Sequence, residues 1–411
     1  MTPSIRPLAM RLALAATLAA GWHLPAQADA VTDWNARSAT LIADSKLGTP
    51  PAVRVMALVQ TAAHAAASAI DPAAGPSAFA PEAAPGASAD AAIAAAHRAV
   101  FSRLLPAQQA AIDAAYQAAL AAVPEGPARQ AGIAVGEKAA ARVFALRAAD
   151  AIGGDDYRPH TGPGAYVPTA TPAALPWPQR KPWLLASAAQ LRPEGPPALG
   201  SERWARDFNE VKALGSRSSS QRTPEQLEVA RFWEYSLPAI YHGVLQSVAQ
   251  QPGRSLAANA RLYAAAAQAM DDALVAVFDA KYTYNFWRPV TAIRNGDADG
   301  NDATTRDAGW SPLIDTPMHP EYPSAHSILA AAVGEVLKAE VGSEPMPLLA
   351  TSSPSAKGAT RQWRSVDDFV REVGNARVWE GVHYRFSTEV GQAMGRRIGE
   401  IAAQRLLPPV P

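Results

Sequence analysis

The chain has 411 residues, no cysteine, and 37 basic against 37 acidic side chains. Its length holds roughly two to three domains of about 150 residues each, or one large helical domain, and a composition 48% hydrophobic and 18% charged excludes global disorder. Zero net charge excludes a general nucleic-acid or anionic-membrane binder while leaving room for a local basic pocket, and the lack of cysteine excludes disulfides, thiolate metal sites and a cysteine nucleophile.

Residues 1–28 read as a secretory signal peptide. Arg6 and Arg11 precede the small apolar run LALAATLAA, and the small-residue sites Ala26-Gln27-Ala28 and Ala28-Asp29-Ala30 place cleavage after Ala28 or Ala30. The apolar run is far shorter than the ~20 residues of a membrane span, and no other long charge-free apolar stretch follows. The mature chain is therefore expected to lack an integral membrane segment and to be exported to a bacterial periplasm or beyond.

Helical periodicity dominates the mature chain. Val53–Ile70, Asp90–Leu105, Pro106–Val123 and Pro127–Ile152 are alanine-rich, with larger apolar residues recurring three or four apart. Pro106 and Pro127 suit first-turn positions, where the missing N–H costs nothing. Asp71–Ala89 is a proline- and glycine-rich loop. Gly153 to about Leu199 is irregular, and its Tyr166, Trp177 and Trp183 suggest an arm that wraps the body. Helical pattern resumes over Ser201–Leu214, Pro224–Tyr235, Pro238–Ala249 and Leu256–Tyr282. A loop over Asn295–Tyr322, a helix over Ser324–Val341, another proline-rich loop and a helical pair over Val366–Gln404 complete the chain. With no convincing strand ladder, the expected fold is all-α: helical bundles joined by long proline-rich loops. The expected organisation is an N-terminal helical region with its arm over 29–199 and a C-terminal bundle over 200–411.

Three segments concentrate chemistry. In KYTYNFWRP, Lys281 and Arg288 are seven apart, so on one helix they fall within about 20° of the same face. They can line an anion pocket or simply form a solvated face. In HPEYPSAHS, His319 to Ser327, Ser324 stands where an N-cap belongs. The free amides and positive dipole of that helix start suit an oxyanion, with His326 in the first turn as proton donor; a plain capped helix is the alternative. In ARVWEGVHYRFS, Ala376 to Ser387, a bend at Gly381 can turn Arg377 and His383 inward together. A histidine among cations is held neutral, and a neutral imidazole facing an anion is a nucleophile or a metal ligand. His64 and His97, in alanine-rich helices without ligand-spaced partners, read as structural, and structural roles are favoured for His160 and His242. The acidic run Asn295–Asp302 lacks the glycine and glutamate of a calcium loop and reads as a solvated turn.

Together the three segments resemble the vanadium-dependent haloperoxidases and the type-2 phosphatidic-acid-phosphatase-like acid phosphatases. That pattern is K-x6-R-P, then P-S-G-H, then S-R-x5-H-x3-D. Lys281 through Pro289, Pro323-Ser324-Ala325-His326, and Arg377 with His383 match it in order and spacing. Likeness to bacterial secreted haloperoxidase homologues extends from Val31–Asn35 through Arg192–Ser216 to the end of the chain. The resemblance implies that Lys281, Arg288, Arg377, Ser324 and the amide of Ala325 bind the oxygens of vanadate, or of phosphate in the same site. It makes His383 the axial vanadium ligand or the phosphoryl acceptor, His326 the acid–base group, and His319 a neighbour of the oxidant site. The implied substrates are hydrogen peroxide and halide in a haloperoxidase, or a phosphate ester in a soluble acid phosphatase acting through phosphohistidine; a vestigial oxyanion binder is the third reading. Two positions depart from the pattern. Ala376 replaces the serine before the arginine. Ser387 replaces the aspartate expected to orient and polarise His383, for which Glu380 or Glu389 are the candidate substitutes, and its loss predicts a poor phosphatase.

Overall fold

A computed structural model describes residues 29–147, 150 and 157–407; the leader expected over 1–28 and the end of the helix expected to reach Ile152 lie outside the described residues. Among the described residues the chain forms thirteen α-helices, short 3₁₀ turns and one two-stranded hairpin. The first helix, α1 (Ala30–Asp44), was not anticipated from periodicity. It is started by Asp29, whose carboxylate accepts the Thr32 amide while the Thr32 hydroxyl accepts the Asp29 amide, a reciprocal cap that satisfies two free donors.

Helices α2 (Thr49–Ile70), α3 (Ala89–Leu104), α4 (Gln109–Ala121) and α5 (Pro127–Arg147) follow the alanine-rich stretches. Small side chains let them approach closely, and α2, α3 and α5 enclose an apolar cluster that includes Val59, Phe101 and Val143. Among the described helices α2 is the one long and apolar enough to cross a membrane, and its apolar window is 89% buried inside the protein. Next come α6 (Glu202–Leu214), α7 (Pro224–Trp233), α8 (Ala239–Ala249), α9 (Leu256–Tyr284), α10 (Pro289–Arg294), α11 (Ala325–Val341), α12 (Val366–Trp379) and α13 (Arg385–Leu406). The 29-residue α9 is the central strut, buried along most of its length between α2, α11 and α13.

The irregular segment after α5 is anchored on α9 around Trp183. Asp272 of α9 accepts the backbone N–H groups of Trp183, Leu184 and Leu185 at 2.6, 2.7 and 2.9 Å. Asp271 accepts the Trp183 indole N–H at 2.6 Å and the Arg54 guanidinium at 2.6 Å, and Arg147 stacks on the Trp183 ring. Buried carboxylates thus take up the amides that an irregular segment leaves unpaired.

Between α11 and α12 the sequence predicts only loop, but Leu349–Ser353 (β1) and Ala359–Trp363 (β2) pair antiparallel, Leu349 opposite Trp363. Lys357 and Gly358 turn the hairpin in left-handed conformation. Five-residue strands rich in serine and threonine carry too little apolar alternation to register as strands. Helix α11 packs extensively against α13. A Cβ at Gly395 would lie 2.3 Å from the Ile328 carbonyl oxygen, so only glycine admits this approach. It holds the start of α11 beside the turn that enters α13, and the candidate site lies there.

Candidate oxyanion site

Lys281 and Arg288 do not share a helix. Asn285 adopts left-handed φ 46° and caps α9, the chain runs extended through Arg288, and Pro289 opens α10. The two cations converge nonetheless, because both grip the same loop. Lys281 Nζ donates to the carbonyls of Pro320 and Glu321 at 2.9 and 2.8 Å, and Arg288 Nε donates to the His319 carbonyl at 2.9 Å. Arg288 Nη1 also reaches the Val382 carbonyl at 2.8 Å, tying that loop to the turn before α13. Lys281 and Arg288 are both buried. Burial first, and then the neighbouring Arg288, hold the Lys281 ammonium well below its ordinary pKa, and burial lowers Arg288 to about 10.

Ser324 caps α11, its hydroxyl accepting the Ser327 amide at 3.4 Å and the Ser327 hydroxyl at 3.0 Å. Its own amide donates to the Ser387 carbonyl at 3.1 Å, which joins the starts of α11 and α13. Arg377 lies in the last turn of α12, and Gly381 then bends the chain at φ +80°. A Cβ at Gly381 would meet the Gly215 carbonyl at 2.4 Å. The bend turns His383 back, so that Arg377 and His383 line one cavity of about 240 Å³ with His319, Ala325 and His326. Its other walls are largely apolar, with Leu274, Phe278 and Leu329 inside and Pro50, Ala173 and Met318 around them. Residues of the α2 start thus border a site whose charged groups all come from the C-terminal half.

The carboxylate for His383 comes from Glu321. His383 Nδ1 lies 2.6 Å from Glu321 Oε1, which also accepts the Tyr384 amide at 3.1 Å. The Ser387 hydroxyl stands 3.5 Å from Nδ1. Both candidates drawn from the sequence are occupied elsewhere: Glu380 pairs with Arg377, and Glu389 is on the surface with Arg203. Arg288 Nη1, which can only donate, lies 3.4 Å from His383 Nε2. The network therefore assigns the proton to Nδ1 and leaves the Nε2 lone pair facing the cations. Burial, then Arg288, Lys281 and Arg377, keep His383 neutral, well below its ordinary pKa. Burial pushes Glu321 up to about 7 against the lowering pull of Lys281 and Arg288, and pushes Glu380 up to about 8 against that of Arg377.

His319 Nδ1 lies 3.0 Å from Arg288 Nη2 and 3.1 Å from the Pro320 carbonyl oxygen. Its ring meets the Phe278 ring edge-on. His326 Nε2 and Arg377 Nε are buried without a partner. Burial and the three cations hold His326 well below its ordinary pKa. Unpartnered polar atoms on two sides of a cationic pocket are what a site for a multiply charged oxyanion requires.

The remaining histidines stand apart. His64 bonds the Ala74 carbonyl, His97 bonds the Ile93 carbonyl and stacks on Trp34, and His242 bonds Asn35 and stacks on Tyr263. His160 is on the surface. The acidic run is less solvated than its composition suggests. Asp299 is buried and accepts the Trp204 indole N–H at 2.8 Å and the Thr304 hydroxyl at 2.8 Å, so it anchors the loop over α6.

A protein-family model for the VCPO second helical-bundle domain matches residues 261–409. A search of curated proteins finds no match to the chain. Among solved structures, a bacterial vanadium-dependent iodoperoxidase superposes with TM-score 0.75 at 23% identity, over 92% of this chain and 97% of that one. A bacterial vanadium-dependent chloroperoxidase superposes in its apo form with TM-score 0.70 at 17% identity (88% of this chain, 94% of that one) and in its holo form with 0.69 at 18% (88% and 93%). Residues 261–409 are thus similar to the VCPO second helical-bundle domain, and the chain as a whole shares the fold of these solved structures.

Proposed function

We propose that this protein is a vanadate-dependent haloperoxidase that oxidises halide with hydrogen peroxide. The observation that carries the reading is the superposition of 92% of this chain on a bacterial vanadium-dependent iodoperoxidase, together with a site in which the pair His383–Glu321 fixes a neutral imidazole with its Nε2 lone pair beside three buried cations. The residues fit vanadate. Lys281 keeps one N–H beyond its two carbonyl contacts, Arg377 Nε is unpartnered, and Arg288, Ser324 and the Ala325 amide complete the set of donors to the anion's oxygens. His383 Nε2 would hold the anion through its lone pair. The chemistry the group supplies when bound is Lewis-acid activation of peroxide toward halide.

The chain's own residues supply the rest. Negative charge entering the pocket offsets the cations and raises the basicity of His326, which then holds a proton at Nε2 for the reacting oxygen. Leu274, Phe278 and Leu329 exclude water from the cavity, which strengthens each ionic contact. His319 lines the same cavity from a ring held by contacts to Arg288 and the Pro320 carbonyl. Hydrolysis of phosphate esters is the second reading, and Glu321 favours it, because it gives His383 the carboxylate that a phosphohistidine mechanism needs.

The deciding assay measures halide oxidation and aryl-phosphate hydrolysis by the purified protein with and without orthovanadate. Peroxide-dependent halide oxidation that appears with vanadate and is suppressed by phosphate is expected. Hydrolysis that vanadate inhibits, without halide oxidation, would establish the second reading instead. We also propose that residues 1–28 are an export leader cut after Ala28. That cut retains Asp29, which caps α1 and accepts Asn259 Nδ2 at 2.7 Å, whereas a cut after Ala30 removes it. Intact mass of the exported protein distinguishes the two.

A further inference from the structure

The chain has no cysteine, so thioethers are its softest and most readily oxidised side chains. Of the five methionines among the described residues, Met56, Met270 and Met394 are buried, Met346 is partly buried, and Met318 is 51% exposed. Met318 adjoins His319 in sequence and lines the same cavity as His326 and His383. Its backbone is pinned, since its carbonyl accepts the Ala173 amide at 2.6 Å, and this holds the side chain between cavity and solvent. Leu274, Phe278, Leu329 and Pro317, the apolar residues beside it, offer no comparable nucleophile, and neither tyrosine nor tryptophan lines the cavity.

We propose that Met318 is a self-modification site: hypohalous acid formed in the cavity oxidises its thioether to the sulfoxide as the oxidant leaves. This rests on the haloperoxidase reading. In the step, the sulfur lone pair attacks the halogen of HOX and displaces hydroxide. Water then adds to the halosulfonium sulfur, halide leaves, and two protons are lost, one of them neutralising the hydroxide. The sulfur gives up two electrons, the halogen goes from +1 to −1, and the net change is thioether plus HOX to sulfoxide plus halide and a proton. The product is a polar sulfoxide at an apolar mouth, a change that accumulates with turnover.

The test uses the full protein with orthovanadate, hydrogen peroxide and bromide or iodide, while halogenation of a dye is followed. Samples are digested and the oxidised fraction of each methionine is measured by mass spectrometry. Sulfoxide at Met318 should rise with turnover to at least about fivefold that at Met346. That ratio should exceed the one produced by the same total amount of reagent hypohalite added from outside. Equal ratios from inside and outside, or equal oxidation when vanadate is omitted, would overturn the inference while dye halogenation still proceeds. Absence of vanadate-dependent dye halogenation would overturn the haloperoxidase reading and this inference together.

Discussion

His383 owes its orientation to a carboxylate from another loop. The spacing of the three segments located each cation and histidine of the pocket, since those residues sit in short motifs whose order survives any fold. It did not locate Glu321, because the Glu321–His383 contact spans 62 residues and is created only when α11 packs on α13. The one signal in the sequence was an acidic residue between two prolines in a loop otherwise devoted to the site. Glu321→Gln should lower turnover roughly 10- to 100-fold without weakening phosphate binding, because it removes negative charge from the pocket. A parallel loss of phosphate affinity would make Glu321 merely structural. Ser387→Asp, which sequence alone would expect to improve a phosphatase, should give no gain, since it sets a second carboxylate beside a buried one; initial rates on an aryl phosphate decide this. His326 supplies a further test. Burial and the surrounding cations hold its pKa below the ordinary value, and an anion that offsets the cations raises it, so binding the anion takes up protons. Phosphate should therefore bind with net proton uptake at pH 8 and bind more weakly as pH rises. Calorimetry in two buffers of different ionisation enthalpy measures this, and zero uptake contradicts it.

Helix periodicity placed nearly every long helix within a few residues, and its failures have local causes. Asn285 ends α9 by adopting a left-handed turn that no apolar pattern marks, and so Lys281 and Arg288 meet by gripping successive carbonyls of one loop, His319 to Glu321, rather than on one helical face. The β1–β2 hairpin lies in a stretch with almost no alternation. The bend between α12 and α13 was legible because glycine interrupts an otherwise helical run, and it bears the heaviest constraint. Gly381→Ala must hold an alanine at φ +80° with its Cβ 2.4 Å from the Gly215 carbonyl, and should cost roughly 1–3 kcal/mol or more of stability. Thermal unfolding reads the loss, and an unchanged midpoint would show that the turn can relax. Asp272→Ala should strip three amide partners from the arm. Faster proteolysis between residues 157 and 199, with the rest of the chain intact, is the expected signature.

Taken over the entire fold, the charges that cancel in the sequence are sorted by position. Three buried carboxylates have raised values: Asp272 about 6, Glu321 about 7 and Glu380 about 8. A raised value means the folded state binds the proton more tightly than the unfolded chain does. The stability these groups confer is fully present below their ordinary values near 4 and is lost as pH rises through about 6 to 8. Buried histidines held neutral, His319, His326 and His383 among them, act in the opposite sense over this window, so the effect is read one group at a time. The stability difference between native protein and Glu380→Gln should be larger at pH 6 than at pH 8.5, and a difference independent of pH would contradict the raised value of Glu380. The oxyanion pocket is tested most directly by competitive calorimetry of vanadate against phosphate on native protein and on the Arg288→Ala and Arg377→Ala variants. One shared site is expected in the native protein, with phosphate displacing vanadate mole for mole. Each variant should lose a few kcal/mol of affinity, as for a charge-assisted contact in a closed pocket. Unchanged vanadate affinity in both variants, or simultaneous binding of the two anions, would contradict the pocket assigned to Lys281, Arg288 and Arg377.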